Sequence, residues 1–445
     1  MTIERCSTAG HGVLIIGAGQ AGATAANALR QFGFEGSITL IGDEDAAPYE
    51  RPPLSKAVLL DPAKEAEIAI HSGTHYKDHN IAVQLGVKVA KLEPQHHRAV
   101  LTDGQVLEYS RCLLATGGRV RELPGHPAGA TPNLHYLRTL SDAHALREKL
   151  HALAAGSVSQ DVQLLVLGAG FLGLEVASTA LQLGVKATVI EPGSTLLARA
   201  IPPELSQWLA GIVRAKGVDL RLGVGCGELE EVAQGVRAQL SDGTALTAAC
   251  VVAAVGQRAD TAIASEAGLQ ICAQTGGVMI DAAGRTSAPD VYAAGDCTTQ
   301  WQPLLNKAVR LESWQSANEQ ARLAAASMLG KQVEPAATPW FWTDMFGLNI
   351  QMMGMPHAGL TYSLRGVMPA PESAAADGAS APKFLMFGLD ALQRLRYAVA
   401  VNAGGDLRML RPLFTSEAPC ANGCLSDGAR PLREITRQLQ AMSAS

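Results

Sequence analysis

The chain has 445 residues, of which 47% are hydrophobic and 17% are charged, and its formal net charge is −5. This length predicts two or three domains, and the composition is typical of a folded protein rather than a disordered one. The negative net charge argues against a protein that coats nucleic acid, because such a protein needs a basic face.

The cysteines and the N-terminus indicate where the protein works. The eight cysteines are scattered, which at this chain length is typical of buried thiols in a reducing compartment rather than of a disulfide framework. Residues 1–12 lack the pattern of a signal peptide, and no stretch reaches the roughly 18 apolar residues of a membrane-spanning helix. We therefore expect a cytoplasmic protein that binds no membrane. The cysteines are Cys6, Cys112, Cys226, Cys250, Cys272, Cys297, Cys420 and Cys424.

A unit of strand, glycine-rich turn, helix and strand occurs twice. In the first copy the apolar strand 13–16 is followed by the turn, a helix at 23–32 and a strand at 37–41, and residues 164–190 repeat this order. Each copy has about 30 residues, which is the length of a βαβ unit. Unbroken apolar strands predict a parallel sheet that is covered on both faces.

Both turns have the spacing G-x-G-x-x-G, which binds dinucleotides when it lies between a strand and a helix. The first glycine makes the turn, the second lets the backbone reach the pyrophosphate, and the third lets helix and strand pack closely. The helix N-terminus then presents free N–H groups to the phosphates. The glycines are Gly17, Gly19 and Gly22 in the first copy and Gly168, Gly170 and Gly173 in the second.

An acidic residue at the end of the second strand completes each unit, because it binds the ribose hydroxyls. Glu191 has this place in the second copy, and no basic residue follows it before Arg199. A 2′-phosphate would therefore meet a negative charge, which favours NADH over NADPH. In the first copy the acid is Asp43 or Glu44, and the sequence does not choose between them.

Later segments assign the two nucleotides. An apolar strand at 291–294 leads to Gly295 and Asp296, and an Asp in this place can hydrogen-bond the ribityl chain of FAD. A helix is predicted at about 313–329. Two nucleotide sites in one chain indicate one bound FAD and one exchanging NADH.

The C-terminal region has a different pattern. Short strands at 348–353, 358–364, 383–389 and 392–401 are separated by Gly and Pro, which predicts an α+β domain. Residues 369–382 are rich in Pro, Ala, Ser and Gly and are expected to form a mobile loop. A short basic helix is predicted at 430–441.

Two clusters could bind a metal, but the sequence favours a structural role for both. Cys420 and Cys424 have no second cysteine pair or histidine nearby. His71, His75 and His79 have helical spacing, but Gly73 interrupts the helix and the setting is polar. We therefore predict no metal site.

Several specific segments occur in one order along the chain and resemble one family. They are the first glycine motif, YERPPLSK at 49–56, the motif at 168–175, YAAGD at 292–296, VRLESW at 309–314 and PWFWTD at 339–344. The set is similar to the ferredoxin reductase components of bacterial aromatic-ring-hydroxylating dioxygenases, with putidaredoxin and rubredoxin reductases as close relatives. The resemblance extends to about residue 413.

The resemblance implies an α/β fold of the glutathione reductase type, with two Rossmann-like nucleotide-binding domains and a C-terminal α+β domain. It implies an FAD domain in two parts, 1–123 and 251–335. An NADH domain at 124–250 is inserted between them, and the domain at 336–445 covers the flavin.

The resemblance also implies roles for single residues. Lys56 and Glu175 fall on a pair expected near N5 of the flavin. A cation there stabilises the reduced ring, and Glu175 holds the lysine and helps to place the nicotinamide. The implied FAD contacts are Ala18, Asp43, Arg51, Lys56, Val89, Arg138, Asp296 and Trp314.

The implied activity is transfer of electrons from NADH through FAD to an iron–sulfur ferredoxin, Rieske-type or plant-type, that feeds a terminal oxygenase. Disulfide reduction is not expected, because residues 43–56 contain no cysteine. The alternatives are a rubredoxin reductase or diaphorase-like oxidase, and a protein like apoptosis-inducing factor, which would need a targeting N-terminus and a basic surface.

Surface cations could attract an acidic ferredoxin to the protein. The alternative hypothesis is that these charges only make the protein soluble. The candidate cations are Lys307, Arg310, Arg394, Arg396, Arg408 and Arg411.

Overall fold

The computed structural model describes residues 12–156, 162–332, 338–376, 378, 380–416, 418–420 and 423–444. The expectations for the N-terminal residues 1–11, including Cys6, lie outside the described residues. The described chain divides into two compact units. One lies within residues 1–52, 63–119 and 257–337, and the other within residues 53–62, 120–256 and 338–445.

Residues 12–120 begin with the first predicted βαβ unit. Its helix starts at Gln20, earlier than the predicted residue 23, because the glycine turn passes directly into the first helical turn. The elements are β1 (Val13–Ile16), α1 (Gln20–Gln31), β2 (Ile38–Ile41), α2 (Ala57–Leu60), α3 (His75–Asp78), β3 (Ile81–Gln84), β4 (Val89–Glu93), β5 (Arg98–Leu101), β6 (Val106–Glu108), β7 (Arg111–Leu114) and β8 (Gly118–Val120).

Residues 121–256 contain the second βαβ unit, which follows a capped helix. Thr139 and Asp142 form a capping box, in which each side chain accepts a hydrogen bond from the backbone of the other. The elements are β9 (Leu134–His135), α4 (Leu140–Ala155), β10 (Val162–Leu167), α5 (Phe171–Gln182), β11 (Ala187–Glu191), α6 (Pro203–Ala215), β12 (Asp219–Leu222), β13 (Cys226–Val232), β14 (Gly235–Leu240) and β15 (Ala245–Ala253).

Residues 257–332 end in the long helix predicted at about 313–329. Ser313 starts this helix, because its Oγ accepts a hydrogen bond from the N–H of Ser316. The elements are β16 (Gln257–Ala259), α7 (Ala262–Glu266), β17 (Val278–Ile280), β18 (Val291–Ala293), β19 (Thr298–Gln302), β20 (Lys307–Val309) and α8 (Trp314–Met328).

Residues 338–444 form the predicted α+β region, with one more strand than the sequence indicated, β21. The elements are β21 (Trp340–Met345), β22 (Leu348–Gly354), β23 (Thr361–Gly366), α9 (Pro371–Ala375), β24 (Phe384–Leu389), β25 (Leu395–Val401), α10 (Gly404–Met409) and α11 (Leu432–Ala444).

The first unit is built on a parallel sheet in the order β3-β2-β1-β7-β18. Val13 and Ile15 of β1 pack against α1 and α8, while Leu14 and Ile16 pack on the other face. This double burial explains the unbroken apolar run of β1. Because the strands are parallel, the segments that follow them meet at one edge of the sheet.

The second unit contains two sheets. In the first, β12, β11, β10 and β15 are parallel, and β14 and β13 continue it as an antiparallel hairpin. The other is antiparallel, in the order β21-β22-β25-β24-β23, and buries Leu407, Ile435 and Leu439 from α10 and α11. The predicted α/β fold is confirmed. Among the described residues, no helix is long and apolar enough to cross a membrane.

The structure differs from the mobile loop predicted at 369–382. Residues 371–375 form α9, and the indole N–H of Trp208 donates a hydrogen bond of 2.7 Å to the carbonyl of Pro369. Pro371 packs against Gly211, where a Cβ would lie 2.6 Å from its ring. These contacts, made by residues far away in sequence, hold the Pro- and Ala-rich segment. Asp377 and Ala379 lie outside the described residues.

Candidate functional site

The first glycine turn has the geometry that the motif requires. Gly17 has a φ of +113°, and a Cβ there would lie 2.1 Å from the carbonyl oxygen of Ala115. A Cβ at Gly22 would lie 1.9 Å from the carbonyl oxygen of Gly17. A Cβ at Gly19, in contrast, would have no atom within 4 Å. Gly17 and Gly22 therefore allow close packing of the turn, while Gly19 faces open space at the start of α1.

Other predicted site residues lie close to the first glycine turn, at the edge where the parallel strands of its sheet end. Gly42 approaches Ala18, since a Cβ at Gly42 would be 2.7 Å from the Ala18 Cβ. Asp43 follows and is exposed. At the end of β18, a Cβ at Gly295 would be 3.1 Å from the Ala21 Cβ. The segment that leads to Asp296 thus meets the N-terminal turn of α1.

Glu44 is engaged by its neighbours. It accepts a hydrogen bond of 2.5 Å from the Tyr49 hydroxyl and forms an ion pair of 2.6 Å with Arg51. Arg51 also donates to the Tyr49 hydroxyl at 3.0 Å. Burial acts to lower the pKa of Arg51, but attraction by Tyr49, Glu44 and Asp296 raises it on balance. Both carboxylate oxygens of Glu44 therefore have partners within the protein.

Asp296 lies in a polar cluster with Gln257 and Arg310, which no sequence motif assigns to it. Gln257 Nε2 donates to its Oδ2 at 3.2 Å. Arg310, one of the predicted surface cations, points its guanidinium at the carbonyl oxygens of Asp296 and Gln257 and pairs with Glu312. Arg310 is therefore committed to this cluster rather than to the surface.

The last two FAD candidates of the first unit differ in exposure. The Val89 side chain is 2% exposed and lies in the core, so only its backbone can contact a ligand. Trp314 is 36% exposed, and its indole N–H donates to Glu50 at 3.2 Å. Trp314 is therefore not a core aromatic.

The second glycine turn repeats the geometry of the first. Gly168 has a φ of +109°, and its Cβ would lie 2.6 Å from the carbonyl oxygen of Ala254. A Cβ at Gly173 would lie 2.1 Å from the Gly168 oxygen, and one at Gly170 would have no neighbour within 4 Å. The same spacing has folded into the same turn at the start of α5.

Glu191 ends β11, beside this second turn. Its carboxylate accepts hydrogen bonds of 2.9 Å from the N–H groups of Ala169 and Gly193. Ala169 is part of the glycine motif, so the acid and the turn are joined directly. Arg199 is exposed, and no hydrogen bond or ion pair joins it to Glu191 in the described part of the chain.

Lys56 and Glu175, predicted as the catalytic pair, form an ion pair of 2.8 Å. Glu175 is 7% exposed and lies on α5, just after the second glycine turn. Its carboxylate also accepts hydrogen bonds from the hydroxyls of Ser55, at 2.5 Å, and Thr343, at 2.6 Å. No local sequence pattern marks these two hydroxyls, although both lie in the segments that carry the family resemblance.

Arg138 lies directly before α4. Its backbone N–H donates to the carboxylate of Asp142 at 2.9 Å, which is the residue that caps the helix. The position of the Arg138 backbone is therefore fixed by the cap.

The remaining candidate clusters make contacts within the described part of the chain. Asp390 pairs with Arg394 at 2.8 Å and with Arg396 at 3.0 Å, so these two predicted surface cations share one carboxylate within the protein. The rings of His71, His75 and His79 stack, with centroids 4.0 and 4.1 Å apart, and do not converge on one point. No described group of three or more His, Cys, Asp or Glu side chains is arranged to hold a metal ion.

Two family models match the chain. The one described as pyridine nucleotide-disulphide oxidoreductase matches residues 11–321, and the one described as reductase C-terminal matches residues 340–436. The chain belongs to the pyridine nucleotide-disulphide oxidoreductase family. The predicted oxidoreductase class is thereby confirmed.

Named relatives of this oxidoreductase are similar over most of their length. A 3-phenylpropionate/cinnamic acid dioxygenase ferredoxin–NAD(+) reductase component from Photorhabdus laumondii is 36% identical over 92% of this chain and 98% of the relative. An anthranilate 1,2-dioxygenase system ferredoxin–NAD(+) reductase component from Burkholderia cepacia is 36% identical over 91% and 94%. The crystal structure of a covalent putidaredoxin reductase–putidaredoxin complex matches with a TM-score of 0.88 and 34% identity, over 97% of this chain and 99% of that one. The resemblance drawn from the motifs is confirmed.

Proposed function

We propose that this protein takes electrons from NADH through bound FAD and delivers them singly to an iron–sulfur ferredoxin that serves an aromatic-ring-hydroxylating dioxygenase. The observation that carries the proposal is the pair of glycine turns with matching geometry, one of them beside the Lys56–Glu175 pair. The relatives named as ferredoxin–NAD(+) reductase components of dioxygenase systems support the choice of acceptor.

The residues present fit the two nucleotides. Open space at Gly19 and Gly170 allows a pyrophosphate to approach each helix N-terminus, and neither helix has a side-chain cap that would occupy its N–H groups. Gly17, Gly19 and Gly22 would hold FAD, and the corresponding glycines of the second turn would hold NADH. When bound, FAD accepts hydride from NADH and releases electrons one at a time.

Asp43 is our choice for the FAD ribose. Asp43 is exposed at the sheet edge, whereas Glu44 is partly buried in its ion pair with Arg51. In this scheme Arg51 is an indirect support, because it holds Glu44 in place. Asp296 and Trp314 would contact the ribityl chain and the ring system, and Val89 and Arg138 would complete the FAD contacts.

Glu191 would bind the adenosine ribose of NADH. Its carboxylate is held by Ala169 and Gly193, so it cannot turn away from a 2′-phosphate. The protein therefore prefers NADH to NADPH. Lys56 supplies the positive charge beside the reacting ring, and Glu175 orients that charge.

We also propose a domain division and a cellular location. The FAD domain comprises 1–123 and 251–335, the NADH domain 124–250, and the flavin-covering domain 336–445. The protein works in the cytoplasm, a reducing compartment in which the described cysteines, all free, would stay reduced. Lys307, Arg408 and Arg411 are exposed and available to attract an acidic ferredoxin.

The test is reduction of cytochrome c by the FAD-loaded protein with NADH, with and without a two-iron ferredoxin. We expect the ferredoxin to raise the rate strongly and NADPH to support much less. Equal stimulation by a rubredoxin would favour the rubredoxin reductase alternative. If NADH reduces the flavin but no iron–sulfur protein raises the rate, the proposed acceptor is wrong.

A further inference from the structure

The buried carboxylate of Glu175 is held from three directions. Lys56 and Thr343 donate to Oε1 at 2.8 and 2.6 Å, and Ser55 donates to Oε2 at 2.5 Å. Hydrogen bonds that involve an ionised group are about twice as strong as neutral ones. Because both oxygens have donors, rotation of the carboxylate would break at least one of these bonds.

Each hydroxyl is itself anchored. The carbonyl of Ser55 accepts a hydrogen bond of 2.8 Å from Thr179 Oγ1, one turn along α5 from Glu175. Further along this segment, Arg147 donates a hydrogen bond to the carbonyl of Val58, and the His151 ring forms a hydrogen bond with the carbonyl of Leu59. The donors therefore cannot drift away from the carboxylate.

Thr343 is anchored by the strand that carries it. Its side chain is fully buried in β21, and the neighbouring Phe341 packs against Phe171 at the start of α5 with ring centroids 4.5 Å apart. The hydroxyl thus comes from a rigid element and meets Glu175 at a fixed point.

We propose that Ser55 and Thr343 are positioning residues, which lock Glu175 so that the Lys56 ammonium occupies one place. This inference rests on the proposed function, in which Lys56 acts beside the flavin. A lone ion pair would let the long lysine side chain sample several rotamers, whereas an immobile carboxylate selects one of them. The hydroxyls therefore tune the flavin without touching it.

The test compares Thr343→Val with Thr343→Ser in the FAD-loaded protein. Valine keeps the shape and removes the hydroxyl, and serine restores it. Ser178→Ala is the matched control, because Ser178 accepts a hydrogen bond of 2.7 Å from the Phe346 N–H. The control thus loses a neighbouring contact between the same helix and the segment after β21, without affecting Glu175.

We expect Thr343→Val to slow reduction of the bound flavin by NADH roughly tenfold in anaerobic stopped-flow experiments. Its flavin midpoint potential should become more negative, because a less localised cation favours the reduced form less. The dissociation constant for NADH should stay unchanged. Thr343→Ser and Ser178→Ala should match the wild type in rate and potential, and Ser55→Ala should behave like Thr343→Val.

Thermal unfolding of the FAD-free variants separates a structural role from a positioning one. If Thr343→Val and Ser178→Ala lose similar stability and also have the same rate and potential, the hydroxyl is only structural and the inference fails. Failure of the proposed function looks different, because the wild-type protein itself would then not bind FAD or would not be reduced by NADH.

Discussion

A buried carboxylate depends on its donors, and Glu175 obtains them from residues that are far apart in sequence. Ser55 precedes it by 120 positions, and Thr343 follows it by 168. The positions of the glycines and of Glu191 could be predicted, because they are fixed within about 30 residues by the geometry of a βαβ unit. Ser55 and Thr343 could not be assigned to Glu175, since no local pattern links a hydroxyl to a carboxylate on a distant helix.

The Lys56–Glu175 pair should couple strongly in a double-mutant cycle. Lys56→Met leaves the buried Glu175 without its cation and should lower the free energy of unfolding by about 3 kcal/mol. Glu175→Gln should have a smaller effect, because the Lys56 side chain is 22% exposed and can reach water. We expect the double variant to be about 1–2 kcal/mol less destabilised than the sum of the single variants, measured by denaturant unfolding. Additive losses would contradict the pairing.

At the scale of the element, both glycine turns use one glycine to let the helix and the strand pack closely and another to leave space for a pyrophosphate. This distinction was predicted from the motif, because strand, turn and helix are contiguous. The His71, His75 and His79 stack was not predicted. The helix α3 covers only His75–Asp78, as the position of Gly73 indicated, yet the three rings stack in succession.

The two functions of the turn can be separated by mutation. Gly22→Ala places a Cβ 1.9 Å from the Gly17 oxygen, so α1 must shift, and we expect loss of about 1–3 kcal/mol of stability together with loss of FAD. Gly19→Ala meets no atom within 4 Å and should fold normally, but the methyl group would obstruct the pyrophosphate. The ratio of flavin to protein and the melting temperature of the FAD-free protein measure both effects. Full FAD binding by Gly19→Ala would place the cofactor elsewhere.

The histidine stack should make α3 sensitive to acid. Burial lowers the pKa of His71, and His75 and His79 lower it further; burial and His79 likewise lower the pKa of His75. Because these folded-state values lie below the ordinary value of 6.5, the unfolded chain binds more protons as the pH falls through this range. The contribution of these two histidines to stability is thus fully present above pH 6.5 and decreases as the pH falls below it.

We expect His75→Asn to reduce the fall in melting temperature between neutral and mildly acidic pH. His96→Asn, which changes an exposed histidine outside the stack, is the control. An unchanged pH dependence in His75→Asn would show that the stack does not titrate with unfolding.

At the scale of the whole molecule, motifs in order along the chain were enough to predict the α/β fold and the family. What they could not predict is how distant segments hold each other. The hydrogen bond between Trp208 and Pro369 joins segments 161 residues apart, and it lies next to the short helix Pro371–Ala375 inside the expected loop. Composition indicates the conformational preference of an isolated segment. In the folded chain, this segment is also held by contacts with residues that are distant in sequence.

The described thiols should differ in reactivity according to their burial. Burial raises the pKa of Cys250 to about 12 and that of Cys420 to about 11. Hydrogen bonding by Thr275 lowers the pKa of Cys272, but this residue is only 6% exposed. Among the described thiols, alkylation of the native protein, mapped by mass spectrometry, should therefore occur first at the half-buried Cys226 and Cys424. Rapid labelling of Cys250 before unfolding would contradict the buried sheet.

The three donors of Glu175 become available at different times during synthesis of the chain. A ribosome makes Lys56 and Ser55 early and Glu175 later, but the strand with Thr343 emerges only after roughly three quarters of the chain. Until then the nascent chain holds a carboxylate that lacks one of its donors. The hydrogen bonding of Glu175 is thus completed by one of the later strands, and a chain released before β21 would contain both glycine turns but would leave this carboxylate without the Thr343 hydroxyl.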